Sequence, residues 1–325
     1  MSEEDGLVCA YIQLQDGKWQ EVDWEGVRKW QPGNGLIWVH VDRAADQAKT
    51  WLQNESGLDS LVTENLLAEE TRPRALEMEG NLMVNLRGVN LNPGANPEDM
   101  VSLRLWLEPE RIVTSRQRRL MAINDIREHI DRGRGPKDSG DFLVEVAGRL
   151  VNRMSPVIEA LDEAEDDLED QMVTGGRQEI RAKLAELRRQ AISLRRYLAP
   201  QREAMSRILG EPIEWLDARH KARLREISDR TMRYVEDMDA IRERAAVIQD
   251  EVANRVSESI NKNMYMLAIV ATILLPLGFV TGLLGINVDG LPGSKDAPFA
   301  FWGVTGILAA LVFLEVVIMR KLKWF

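Results

Sequence analysis

The chain has 325 residues, with 42 Lys and Arg against 52 Asp and Glu, a formal net charge of -10 at pH 7 and one cysteine. That acidic balance argues against a nucleic-acid partner, which requires Lys and Arg to displace phosphate counterions, and it suits cations. The single Cys9 excludes an intrachain disulfide and fits a reducing compartment; no second Cys or nearby His supports reading it as a reactive thiol or a ligand.

The first five residues, Met1-Ser2-Glu3-Glu4-Asp5, have neither the basic start nor the apolar core of a signal peptide, so the segment before the first span is expected to stay on the side where it is made. Residues 1–135 alternate short β-type and helical runs. Leu7 to Leu14, Leu36 to Val41, Leu82 to Val89, Val101 to Leu107 and Arg111 to Thr114 read as strands. Ala44 to Asn54 and Asp59 to Ala68 read as helices, with turns at Gly33-Asn34-Gly35 and Asn92-Pro93-Gly94. The pattern predicts an α+β domain with a mixed sheet.

Residues 136–263 lose the strand signals. Phe142 to Met172 and Gln178 to Leu209 place apolar residues three and four apart, separated by Gly175-Gly176 and closed by Gly210 and Pro212, which predicts two long antiparallel helices. A third helical pattern starts near Ile213 and meets no strong breaker before Pro276. Continued to Ile286 it would be roughly 110 Å long, too long to be covered by one chain, so identical chains are expected around it. Near the end of the first long helix stand Glu159, Asp162, Glu163, Glu165, Asp166, Asp167, Glu169 and Asp170. Carboxylates are ligands of hard cations, but without the ligand order of a calcium loop Asp162, Glu163, Asp166 and Asp170 are read as a solvated acidic face that at most attracts cations.

Mean hydropathy over the chain is only -0.26, an average that conceals two apolar segments. Met264 to Ile286 carries no charged side chain, and Phe299 to Met319 carries one, Glu315. About 20 apolar residues cross the hydrocarbon core of a bilayer, so residues 264–287 and 299–319 are expected to span, joined by an external loop, 288–298, and followed by a basic tail, 320–325. Arg255 and Lys262 precede the first span and Arg320, Lys321 and Lys323 follow the second, against Lys295 alone in the loop. Both termini are therefore expected in the cytoplasm.

No phosphate-binding Gly-x-x-x-x-Gly-Lys-Ser/Thr loop occurs, which excludes transport driven by ATP held on this chain. No nucleophile and base arrangement is visible, and His40, His129 and His220 are scattered and read as structural or surface residues. An enzyme is not expected, and neither is a resident cofactor. Two spans cannot enclose a pore alone, so a ring of chains is implied. In such a ring each pore-facing position becomes a ring of one residue type. Stepping inward from Asn287 gives Gly282, Gly278, Leu275, Ala271, Ala268, Met264 and Asn261: small or polar at both ends, apolar between. This suits a hydrated cation, with amide oxygens at the mouth and an apolar constriction that gates by dewetting; the glycines equally serve close helix packing.

Asn263-x-Tyr265, Leu275-Pro276-Leu277 and Phe279-Val280-Thr281-Gly282-Leu283-Leu284-Gly285-Ile286-Asn287, followed by a short loop and one more span, resemble the CorA family of divalent-cation transporters. The resemblance covers the whole architecture. It implies a funnel-shaped homopentamer in a bacterial inner membrane, a pore lined by the first span, and a selectivity element at Gly285, Ile286 and Asn287. Magnesium transporters of the family usually read Gly-Met-Asn there; Ile286 departs from that, and the loop Asn287-Val288-Asp289-Gly290-Leu291-Pro292-Gly293 is similar to the ZntB-type branch of bacterial zinc transporters. Zinc is thus implied by resemblance, with nickel, cobalt or cadmium competing. A CorA-type magnesium/cobalt channel is the alternative, and a membrane-tethered scaffold that transports nothing is the second.

Zinc sites use Cys, His and carboxylate ligands, and neither span has Cys or His. An ion crossing here keeps most of its water. Passive flow of a divalent ion runs inward, favoured by about 4.6 kcal/mol at 100 mV. Glu315, the one titratable group within the apolar part of a span, is the candidate for proton coupling; a structural pairing with Lys262 or Arg320 is the competing reading.

Overall fold

The computed structural model describes residues 5–171, 177–285 and 299–321. The chain divides into two compact units, 1–249 and 250–325.

The N-terminal unit is built on a seven-stranded sheet: β1 (Leu7–Gln13), β2 (Trp19–Glu21), β3 (Ile37–Asp42), β4 (Arg74–Met78), β5 (Asn81–Gly88), β6 (Val101–Leu107) and β7 (Arg111–Arg116), in the spatial order β2-β1-β3-β7-β6-β5-β4. Only β3 and β7 are parallel; every other neighbouring pair is antiparallel. The sheet is mixed, as its alternating sequence pattern predicts.

Successive side chains of a strand point to opposite faces, and β3 shows why its sequence is apolar throughout. Ile37, Val39 and Val41 join one core with Leu52, Val62, Leu66 and Trp106. Trp38 and His40 face the other side, where the Trp38 ring lies 5.0 Å from that of Phe142. Short helices α1 (Trp24–Lys29), α2 (Asp46–Thr50, continued by a π-helical turn, Trp51–Glu55) and α3 (Ser60–Leu67) supply the first core. Asp23 and Asp59 start α1 and α3 by accepting from the Gly26 and Leu61 amides, which are donors without helical partners.

The other face is covered by α4 (Met121–Asp131), α5 (Ser139–Gln171) and α6 (Arg177–Gly210); α5 packs on β5, and α6 on β4 and β5. Asp138 caps α5 by accepting from the Asp141 amide at 2.7 Å. Two arginines close the sheet against the segment after α3: Arg43 donates to the Leu67 carbonyl and Arg104 to that of Ala68. Burial, with Arg43 and Arg87 nearby, brings the Arg104 guanidinium down to about 10.

Four elements escape the sequence pattern: β2, β4, α1 and α4. β4 is an edge strand of sequence Arg-Ala-Leu-Glu-Met, too polar to alternate cleanly. Its hairpin to β5 turns through Glu79 at φ 53° and Gly80 at φ 78°, left-handed geometry for which Asn-Gly is the usual signal.

The last helix of the N-terminal unit, α7 (Ala218–Leu284), continues unbroken into the second, whose other element is α8 (Ala300–Lys321). The expected helix over 213–286 thus forms over nearly its whole length.

Candidate functional site

Within the C-terminal unit, α7 and α8 each offer an 18-residue apolar window, with mean hydropathies of 2.4 and 2.2. Over residues 261–284 of α7 the partly covered ones are Ile269, Ile273, Pro276, Leu277 and Val280. Their spacing of three and four puts them on one helix face. Asn261, Met264, Ala268, Ala271, Leu275, Gly278 and Gly282 are all exposed, and the same periodicity places them on roughly the opposite face. The stripe picked out by stepping along the sequence therefore lies on a single face, which the described residues leave exposed together with most of this stretch.

That face is smooth at one end. A Cβ added at Gly278 or Gly282 would meet nothing within 4 Å. Thr272 and Thr281 turn their hydroxyls back to the carbonyls of Ala268 and Leu277, which satisfies them in an apolar setting. Pro276 has no N–H, so the Thr272 carbonyl loses its usual helical donor. A polar acceptor is thereby placed within a charge-free segment. α7 ends at Leu284, and the Gly285 amide donates to the carbonyls of Thr281 and Gly282. Ile286 and Asn287, the rest of the expected selectivity element, lie outside the described residues, as does the loop over 288–298.

On α8 the covered positions are Val304, Leu308, Leu311, Val312, Glu315, Val316, Val317 and Met319. Glu315 is on this covered side, and its Oε2 is buried with no hydrogen-bond partner. No ion pair joins it to Lys262 or Arg320 among the described residues. A buried acceptor left unpaired is costly.

The charged features of the N-terminal unit sort differently from their order in the sequence. Asp162, Glu163, Asp166 and Asp170 are exposed on α5, and none joins a group of three ligand atoms close enough to hold an ion among the described residues. Glu165 turns inward instead, towards Arg244. His40 is fully buried against Thr114, and burial, with Arg116 and Arg127, keeps its ring well below the ordinary histidine range and hence neutral. His129 sits 3.1 Å from Glu145. His220 is not scattered at all: it is buried and faces Asp138, Asp141 and Asp217. All four come from the starts of α5 and α7, far apart along the chain, so the meeting of the two pairs leaves no trace in local spacing. Cys9 is buried, and its thiol is pushed up to about 12 by that burial, which removes it as a thiolate ligand.

An α+β unit followed by two apolar helices, with a bare uncharged stripe on the first, defines a membrane protein of the ion-transporting class. A family model described as CorA-like Mg2+ transporter protein matches residues 33–321. The chain is 38% identical over 290 residues to the divalent cation transporter CmaX of Pseudomonas aeruginosa, covering 89% of this chain and 87% of that one. It is 35% identical over 289 residues to the zinc transport protein ZntB of Yersinia enterocolitica, covering 88% and 87%. Full-length CmaX superimposes with a TM-score of 0.86 at 36% identity over 99% of both chains. The CorA magnesium transporter of Methanocaldococcus jannaschii shares the fold, with a TM-score of 0.81 at 18% identity over 98% of both. The chain belongs to the CorA-like family of metal-ion transporters; its relatives are transporters rather than enzymes, and what it handles is a transported divalent cation.

Proposed function

We propose that the protein is a homopentameric zinc transporter of the inner membrane, with both termini in the cytoplasm. Residues 1–135 and 136–263 form its cytoplasmic domain and helices, and 264–287 line the pore from each chain. The observation that carries this reading is the bare stripe on α7. Seven positions from Asn261 to Gly282 share one face, none is charged, and none is covered by the described residues. Lipid would cover an apolar face equally well. It would not call for an Asn at one end and a Gly-Ile-Asn triplet at the other.

Zinc is favoured over magnesium by Ile286 where the magnesium branch carries Met, and by the similarity to ZntB proteins. The ion travels largely hydrated, since no Cys or His stands in either span. Hydrated divalent ions differ little to a ring of amides, so nickel, cobalt and cadmium compete. Flow is inward, and the unpaired carboxyl of Glu315 is the group that would link it to protons. A magnesium/cobalt channel is the second reading, supported by the family description.

Purified protein in liposomes, loaded with a zinc-sensitive dye, tests both. Zinc influx that exceeds magnesium influx supports the first reading, and the reverse order supports the second. No flux above empty liposomes, in protein shown to be pentameric, leaves only a membrane-tethered scaffold.

A further inference from the structure

We infer that Asp138, Asp141 and His220 form a binding site for a zinc-class divalent cation, outside both spans. Nε2 of His220 lies 3.3 Å from Oδ1 of Asp138 and 3.5 Å from Oδ1 of Asp141. One ligand atom from each residue falls within 4.8 Å of the other two. Zinc bonds to nitrogen and carboxylate oxygen at about 2.0–2.2 Å in tetrahedral geometry, which sets neighbouring ligand atoms about 3.3–3.5 Å apart. The two measured spacings are those of a tetrahedron's edges, with a fourth corner left to water.

The ligands are held in place before any ion arrives. Asp138 is fixed by its capping bond to the Asp141 amide. The second ring nitrogen, Nδ1, lies 3.0 Å from Oδ1 of Asp217. The Asp217 amide donates to Nδ1 at 3.3 Å and Oδ1 of Asp217 accepts from the His220 amide at 2.8 Å, so the ring is held from its far side while Nε2 faces the two carboxylate oxygens. The ring itself is seated on Gly140, where a Cβ would stand 2.5 Å from Nδ1.

Access and charge are compatible with an ion. The Asp138 side chain is 50% exposed while that of His220 is 5% exposed, so an ion can reach the site from solvent at Asp138. Arg223 lies 3.3 Å from Oδ1 of Asp141 and offsets one charge; three carboxylates still surround the imidazole. One nitrogen with two carboxylates suits zinc and cobalt better than magnesium or calcium, which prefer oxygen throughout. A bound cation would tie the first turn of α5 to that of α7.

This inference does not rest on the transport reading, because binding is measured without flux. Full-length protein in detergent, stripped with chelator, is titrated with cobalt(II), whose tetrahedral complexes absorb far more strongly than the octahedral hydrate. The expected result is an intense visible band that saturates at one equivalent per chain. Zinc should bleach it and an equal concentration of magnesium should not. His220→Ala should abolish the band, and His129→Ala should leave it intact. No band in the wild type overturns the site and leaves a metal-free histidine and carboxylate cluster. A band retained in His220→Ala, or bleached equally by magnesium, overturns it as well. If His220→Ala does not fold by circular dichroism, the half-exposed Asp138→Asn carries the test, and wild-type cobalt affinity in that variant is the overturning result.

Discussion

Glu165 on α5 and Arg244 on α7 form an ion pair, 3.4 Å from Oε2 to Nη1, in which the carboxylate is almost fully enclosed and the guanidinium is largely in solvent: the side chains are 1% and 56% exposed. Burial, reinforced by Asp162, Asp166 and Glu169, holds the Glu165 carboxyl above the usual range against the opposing pull of Arg244. Its Oε1 has no hydrogen-bond partner. The folded state therefore takes up a proton at higher pH than the unfolded chain does. Above the raised value the ionised group penalises the fold, and the penalty is lifted as pH falls through it. Glu165→Gln should raise the thermal midpoint at pH 8, and the difference from wild type should shrink at pH 5. Equal destabilisation at both pH values would mean that the bond to Arg244 outweighs burial.

Phe142 joins α5 to the sheet. Its ring is fully buried and lies 5.0 Å from Trp38, with the planes at 58°. Truncation leaves a cavity between two layers that cannot both relax, so Phe142→Ala should cost about 3–5 kcal/mol. Denaturant titration of the purified chain checks this; a loss below 1 kcal/mol would show that the layers close over the gap.

Cys9, on a central strand and with its thiol pushed up to about 12, should resist maleimide at pH 7.5 in the native protein and react only as the sheet opens. Mass spectrometry after timed labelling reads this directly, and rapid modification of native protein would contradict the burial.

Gly282→Leu probes the bare stripe. Among the described residues nothing stands within 4 Å of an added Cβ, and leucine is a better helix former than glycine. The fold of a single chain should be untouched while zinc flux falls at least tenfold, from a blocked pore or a displaced neighbour. Wild-type flux would put this face against lipid.

Glu315→Gln removes the proton-accepting group from the covered side of α8. If the unpaired carboxyl links zinc to protons, flux measured across an imposed pH gradient should lose its pH dependence while zinc uptake at equal pH persists. An unaltered response would take Glu315 out of the mechanism.

What could be read along the chain was whatever has a short period. β3, β5, β6 and β7 show as apolar runs, and α5 and α6 as repeats of three and four, because each buries a continuous face against one layer. The polar edge strand β4 shows no such run, since one of its sides meets no other strand. The stripe from Asn261 to Gly282 was readable for the same reason, being one face of one helix.

The amino-acid order alone shows two long apolar segments, the first without a charge and the second with Glu315 alone, and Gly285, Ile286 and Asn287 at the end of the first, because these depend on neighbours along the chain. Folding decided which acidic residue is turned inward, that one carboxylate oxygen of Glu315 is enclosed without a partner among the described residues, and that His220 meets Asp138 and Asp141. Those outcomes depend on which helix starts and faces are brought together across long loops, and side-chain spacing along the chain carries no record of such closures.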